Sequence, residues 1–174
     1  MQVIRIGNKL ISMEKINRLI DRVLQLRVEG YSQTEVANRL NIDRTFISRL
    51  EKIGEIRKGK RIAVIGFPIH NKEELEAMLL EEGVEFIFLM NDEERWKFVQ
   101  GTNGVDLLNK IMEMITELRN FDVVVAIASN YRINLCQTLL EKEVVGVEIG
   151  KSPIEEDKYV SVDEIREIIK YIMT

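Results

Sequence analysis

Gly54-Glu55-Ile56-Arg57-Lys58-Gly59-Lys60-Arg61-Ile62-Ala63-Val64-Ile65-Gly66 is the stretch where the chain changes character. Its first part is basic and punctuated by glycine, the composition of a link between modules. Its second part, from Ile62, is a short unbroken apolar run, the pattern of a strand buried on both faces of a parallel sheet. Charge changes sign across it. Residues 1–61 carry 14 Lys and Arg against 7 Asp and Glu, a net of +7, whereas residues 62–174 carry 11 against 22, a net of −11. Such asymmetry marks two modules with different partners, a basic one suited to a polyanion and an acidic one that is not. The expected modules are 1–60 and 61–174.

Downstream, strand and helix patterns alternate. Asn71-Lys72-Glu73-Glu74 opens a helix that Gly83 stops, and Val84 to Met90 reads as a second strand. Helices follow near Glu93–Val99 and Val105–Arg119, then a third strand from Asp122 to Ala128 and a helix from Tyr131 to Lys142. Val144 to Ile149 is a fourth strand, and Ser161-Val162-Asp163-Glu164 opens the last helix as a capping box. Alternation of this kind implies right-handed crossovers and a parallel sheet covered by helices. The expected fold of this half is α/β, a four-stranded parallel sandwich in the order 2-1-3-4. Sheets of this class bind ligands beyond the carboxyl ends of their strands. Ser129, Asn130, Arg132 and Lys151 fall in the loops there, and with a helix N-terminus behind them they suit an anion. The same residue types also serve simply as helix caps. The first loop lacks both G-x-G-x-x-G and G-x-x-x-x-G-K-[ST], so neither a dinucleotide site nor nucleotide hydrolysis is expected.

Upstream, Ser12 precedes apolar residues at Ile16, Leu19, Ile20, Val23, Leu24 and Leu26, the period of an amphipathic helix that Gly30 ends. Ser32-Gln33-Thr34-Glu35 is a capping box for a short helix to Leu40. Asn41 suits a left-handed turn, and Asp43 caps a third helix from Arg44 to about Lys52. Before all of these, Val3–Ile6 and Lys9–Ile11 around Gly7-Asn8 form a small β-hairpin pattern. Covering a sheet edge, pairing with another subunit and reaching DNA are all open to that hairpin.

The segment from Gln33 to Glu51 resembles the helix-turn-helix of phage-repressor and Cro-like transcription regulators. Ala37 stands where such units keep a small residue at the helix crossing. Asn41 stands at the turn, and Val36, Leu40, Ile42, Ile47 and Leu50 occupy the buried positions. Repressors of that family continue into further helices, whereas this chain enters a strand at Arg61; a minimal three-helix unit of another helix-turn-helix branch fits the same residues. The resemblance implies an N-terminal three-helix DNA-binding domain whose third helix lies in the major groove of double-stranded DNA. It places Arg44, Thr45, Ser48 and Arg49 at base edges, on the face opposite Phe46, Ile47 and Leu50. Gln33 would touch a phosphate, and Arg57, Lys58, Lys60 and Arg61 would follow the backbone.

The composition narrows the remaining choices. One histidine, His70, and one cysteine, Cys136, leave no material for a histidine-rich metal cluster, a cysteine-rich zinc site or an internal disulfide framework. His70 reads as a surface loop residue and Cys136 as a structural thiol. Trp96 and Phe98 read as core or interface residues, and the acidic clusters as solvated helix starts and loops. No catalytic constellation, cofactor or metal site is expected. No apolar run approaches the ~18 residues of a membrane span, and the first residues lack a signal-peptide pattern. A cytoplasmic protein is expected. The leading expectation is a sequence-specific regulator, homodimeric, whose acidic domain dimerises or senses a small-molecule effector. The alternative is an α/β enzyme or small-molecule-binding protein whose N-terminal helices only mediate assembly.

Overall fold

The computed structural model describes residues 3–174, and Met1 and Gln2 lie outside the description. The chain divides into two compact units, residues 1–55 and 56–174.

The first unit opens with β1 (Val3–Ile6) and β2 (Lys9–Ser12), an antiparallel ribbon in register Val3 to Ser12. Gly7, with φ of +57°, supplies the left-handed backbone its tight turn requires. The two strands form a sheet of their own. Ser12 then caps α1 (Met13–Val28) by accepting from the Lys15 N–H. In α2 (Gln33–Leu40) the capping box is complete: Ser32 Oγ accepts from Glu35 N–H, and the Glu35 carboxylate accepts from Ser32 N–H. Asn41 takes the left-handed conformation that turns the chain, and Asp43 caps α3 (Arg44–Gly54). The three helices enclose Val23, Leu26, Val36, Ala37 and Ile47, with Tyr31, Leu40, Ile42 and Leu50 packed around them. Ala37 is buried as a small residue at a helix crossing must be.

The second unit is an α/β layer structure. Its elements are β3 (Ile62–Gly66), α4 (Lys72–Glu81), β4 (Phe86–Leu89), α5 (Asp92–Gln100), α6 (Gly104–Leu118), β5 (Val123–Ser129), α7 (Asn130–Leu140), β6 (Glu143–Gly150) and α8 (Val162–Met173). The strands are parallel in the order β4-β3-β5-β6, the expected 2-1-3-4. Every residue of β5 is buried, as a central strand covered on both faces demands. Ile62, Val64, Val123, Val125 and Ile127 pack against Leu75, Met78 and Leu79 of α4 and Ile165, Ile169 and Ile172 of α8. The alternate residues Ala63 and Val124 meet Leu118 of α6 and Leu140 of α7. Ala126 and Ala128 meet Ile133 of α7. Small residues on this face let α7 approach closely. A Cβ at Gly146 would lie 2.4 Å from Ile133 Cγ2, so the contact requires glycine there.

The division falls after Glu55, not after Lys60, for a physical reason. Ile56 packs against the α4/α8 core. Gly59 N–H donates to Ile172 O at 3.0 Å, and Lys60 and Arg61 N–H both donate to Asp122 Oδ2 at 3.0 Å. A Cβ at Gly59 would come within 2.5 Å of Asp122 Cβ. The basic stretch is therefore part of the α/β unit's surface and not a free link. Asn71 departs from expectation too. It makes no side-chain cap on α4 and instead bridges to Val160, donating to its carbonyl at 2.9 Å and accepting from its N–H at 3.0 Å.

Candidate functional site

Residues of the expected DNA-reading helix are arranged by the 100° step of α3. Ile47 is buried and Leu50 half-buried on one side, and Thr45, Ser48, Arg49 and Lys52 are exposed on the other. Arg44 is exposed at the first position. Asp43 holds the start: its carboxylate accepts from Thr45 N–H. That bond first, and then the Arg44 and Arg49 charges, keep its carboxyl below the usual range. Lys52 belongs to this face although the sequence reading passed over it; its spacing of seven from Thr45 was the available signal. Arg39 also adds an exposed cation, its guanidinium centre 3.8 Å from the centroid of the Tyr31 ring.

Two expectations need correction here. Phe46 is not on the buried side; it is 41% exposed, and Ile53 on the same helix is 84% exposed. Two steps of 100° from Arg44 leave Phe46 short of the seam that Leu50 and Ile47 share. Gln33 does not present a free amide to a phosphate. Its Nε2 donates to Glu51 Oε2 at 2.7 Å, and Glu51 also pairs with Arg27, which donates again to Tyr31 O. Arg27 first and then Gln33 hold the Glu51 carboxyl below its usual range. Gln33 thus ties α2 to α3.

Arg57, Lys58 and Lys60 lie on the second unit. Arg57 is 3.9 Å from Glu143, and Lys58 Nζ is 5.2 Å from the Tyr171 ring centroid. With Lys60, Asp122 and Lys142 they line an open polar concavity at the amino ends of β5 and β6. Counted where they pack, residues 1–55 carry 10 basic and 7 acidic residues, a net of +3, and residues 56–174 carry 15 against 22, a net of −7. The charge contrast between units survives but is smaller than a boundary at residue 60 implies.

The strand ends gather the second set. Ser129 ends β5 and starts α7, is 2% exposed, and makes no side-chain cap. Asn130 Oδ1 accepts from Ser152 N–H at 3.1 Å, which fixes the turn after β6 beside the α7 N-terminus. Lys151 is exposed in that turn. The Arg132 guanidinium centre lies 4.7 Å from the Phe67 ring centroid. Burial, and then the charge of Arg95, hold Arg132 below the usual guanidinium range. Arg95 comes from α5, pairs with Asp92 and donates to Ile154 O. Nothing in the local sequence connected it to Arg132; the fold brings them together.

His70 is exposed. Cys136 is half-buried between α7 and the sheet, and burial pushes its thiol up, away from the reactive thiolate. Trp96 is 50% exposed, while Phe98 packs edge-on against Phe88 with centroids 6.0 Å apart. Among the described residues no group of His, Cys, Asp and Glu stands close enough to hold a metal ion. No helix among them is long and apolar enough to cross a membrane. In comparisons with known proteins no family model, no curated protein and no solved structure matches the chain.

Proposed function

We propose that the protein is a sequence-specific DNA-binding transcription regulator, with α2, Asn41 and α3 as its helix-turn-helix. One observation carries the reading: behind a left-handed Asn41 turn and a buried Ala37, α3 exposes Thr45, Ser48, Arg49 and Lys52 on a single face. That is the arrangement in which a helix meets base edges in the major groove. Arg49 can donate twice to guanine, and Thr45 and Ser48 can contact any base or a thymine methyl. Lys52 and Arg39 supply phosphate neutralisation, the sequence-independent part of affinity.

The second unit supports a homodimer, which two half-sites about one helical turn apart require. Leu108 and Met112 on α6 and Leu135 and Leu139 on α7 are all exposed. Arg119 at the end of α6 donates to Leu139 O, so these apolar flanks belong to neighbouring helices. Apolar patches of more than a few hundred Å² are rare on monomers and mark association surfaces. Sedimentation should give a dimer at micromolar concentration, and Leu108→Glu with Leu135→Glu should give a folded monomer. A wild-type monomer removes the dimer from the proposal.

The test of recognition is selection of a preferred DNA site by the full chain, followed by titration. Arg49→Ala should cost on the order of 1–3 kcal/mol at that site and relax preference at one base position. Lys52→Ala should weaken all sequences alike and flatten the salt slope. A second reading is favoured by Phe46 and Ile53, which leave apolar surface on α3 itself. In it the three helices only assemble an α/β enzyme or small-molecule-binding protein. Weak, salt-insensitive DNA binding selects that reading.

A further inference from the structure

Ser129 ends β5 and opens α7, and its side chain bonds to nothing. A serine at a helix start ordinarily accepts from an N–H of the first turn. Here Oγ is enclosed and has no hydrogen-bond partner. Buried hydroxyls are nearly always paired, so one without a partner marks a place where something is missing. The β5–β6 ladder shifts register between Ala128 and Ser129, an irregularity of the kind that re-aims a side chain at a strand end.

The surroundings are those of an anion. The N-terminus of α7, an eleven-residue helix, presents unsatisfied N–H groups and the positive end of its dipole. Arg132 stands in its first turn, and Arg95 is near enough for its charge to bear on Arg132. Arg95 already has Asp92. Arg95 is thus committed to Asp92, whose N–H is in turn held by the Asp157 carboxylate, and Arg132 is the cation left beside a helix end that adds about half a positive charge.

We propose that this end of the sheet is an anion site that takes the phosphate group of a small phosphorylated metabolite on the α7 N-terminus. Arg132 forms the charged wall of the site and Ser129 donates its hydroxyl. A phosphate offers more acceptor oxygens than a carboxylate to the helix N–H groups, the Arg132 guanidinium and the Ser129 hydroxyl. Ser129 is covered in the unliganded chain, so the anion reaches it by displacing the turn that Asn130 holds through Ser152. This inference goes beyond the dimerising role proposed for the second unit and is independent of DNA recognition.

The test uses the full chain without DNA. Thermal unfolding and calorimetric titration compare inorganic phosphate with chloride at equal ionic strength. Phosphate should raise the melting temperature of the second unit by several degrees and bind saturably. Arg132→Gln should weaken binding about tenfold or more. Ser129→Ala should weaken it as well while leaving the melting temperature without phosphate unchanged or higher, because it deletes an unpaired hydroxyl. An organic phosphate monoester, glycerol phosphate, should bind more tightly than inorganic phosphate. Equal shifts with phosphate and chloride overturn the site. So does Ser129→Ala that destabilises the chain yet keeps phosphate affinity. A monoester that binds more weakly than inorganic phosphate overturns the metabolite assignment. Because no DNA is present, these results separate cleanly from any failure of the α3 reading.

Discussion

The serine that opens α2 is fully engaged, whereas the serine that opens α7 is idle. Ser32 accepts from Glu35 N–H at 3.2 Å and its own N–H is met by the Glu35 carboxylate at 2.7 Å; Ser129 Oγ meets nothing. The contrast extends to the units that hold them. Among the described residues the first encloses five buried hydrophobic residues, and the α4/α8 core of the second alone encloses sixteen. A small core leaves little stability to spare, so its polar groups are committed to the fold: Asp43 to a helix start, Gln33, Arg27 and Glu51 to one another. A larger core tolerates an unsatisfied group at a strand end. Polar atoms left over are where binding can be built.

The largest expected effect tests that difference in reserve. Ile47→Ala should cost about 2–5 kcal/mol, most or all of what so small a unit has, and should abolish its melting transition. Calorimetry should show the second unit melting unchanged. A joint fall of both transitions would break the two-unit comparison.

Next come the two serines themselves. Ser32→Ala should cost about 1 kcal/mol, the ordinary value of a lost N-cap, read as a lowered melting temperature of the first unit. Ser129→Ala in the absence of ligand should cost nothing. Equal losses at both positions would mean that Ser129 has a structural partner after all.

The smallest effect is in acid. Glu35, Asp43 and Glu51 in the first unit are all held below their usual values, Glu35 by Ser32, Asp43 by Thr45 N–H and Glu51 by Arg27. In the second, Asp122 is held down by the N–H groups of Arg61 and Lys60. An acid depressed in the folded state contributes stability above its unfolded value, near 3.8 for Asp and 4.5 for Glu, and loses it as pH falls through the lower folded value. Glu94 and Glu156 of the second unit are held down as well, by Lys72 and Lys158, so each unit has three such acids. Acidification below about pH 4.5 should therefore loosen both, and the first should melt earlier because its three stand over less core. Circular dichroism across that range reads the order, and Asp122→Asn should leave the first transition where it was.

Much of this architecture was legible because its signals are local. The unbroken run at Ile62–Gly66, the serine–glutamate pair around α2 and the strand–helix alternation each declare themselves within a few residues. Alternation and right-handed crossovers implied the parallel sheet, whereas the order 2-1-3-4 was one of several they allow and is the one the fold adopts. The misreadings have a common cause: contacts across the fold. Gln33 meets Glu51 eighteen positions away. Phe46 needed the true packing seam of α3, and Arg95 reaches the strand ends only because α5 is folded there. One local signal went unread. Asn91 and Glu94 form a second complete capping box, visible as Asn-x-x-Glu in the sequence.

The anchoring of residues 56–61 bears on how the protein can be taken apart. Arg57, Lys58 and Lys60 are exposed and invite trypsin, yet the backbone beneath them is stitched to Asp122 and Ile172. A fragment begun at Arg61 would strip Ile56 from the α4/α8 core and leave the Ile172 carbonyl without its Gly59 donor. It would also give the N-terminal piece a greasy, strongly cationic tail able to cling to any polyanion, and so imitate the very activity being sought. Dissection should cut between Glu55 and Ile56, where each piece keeps the residues it packs.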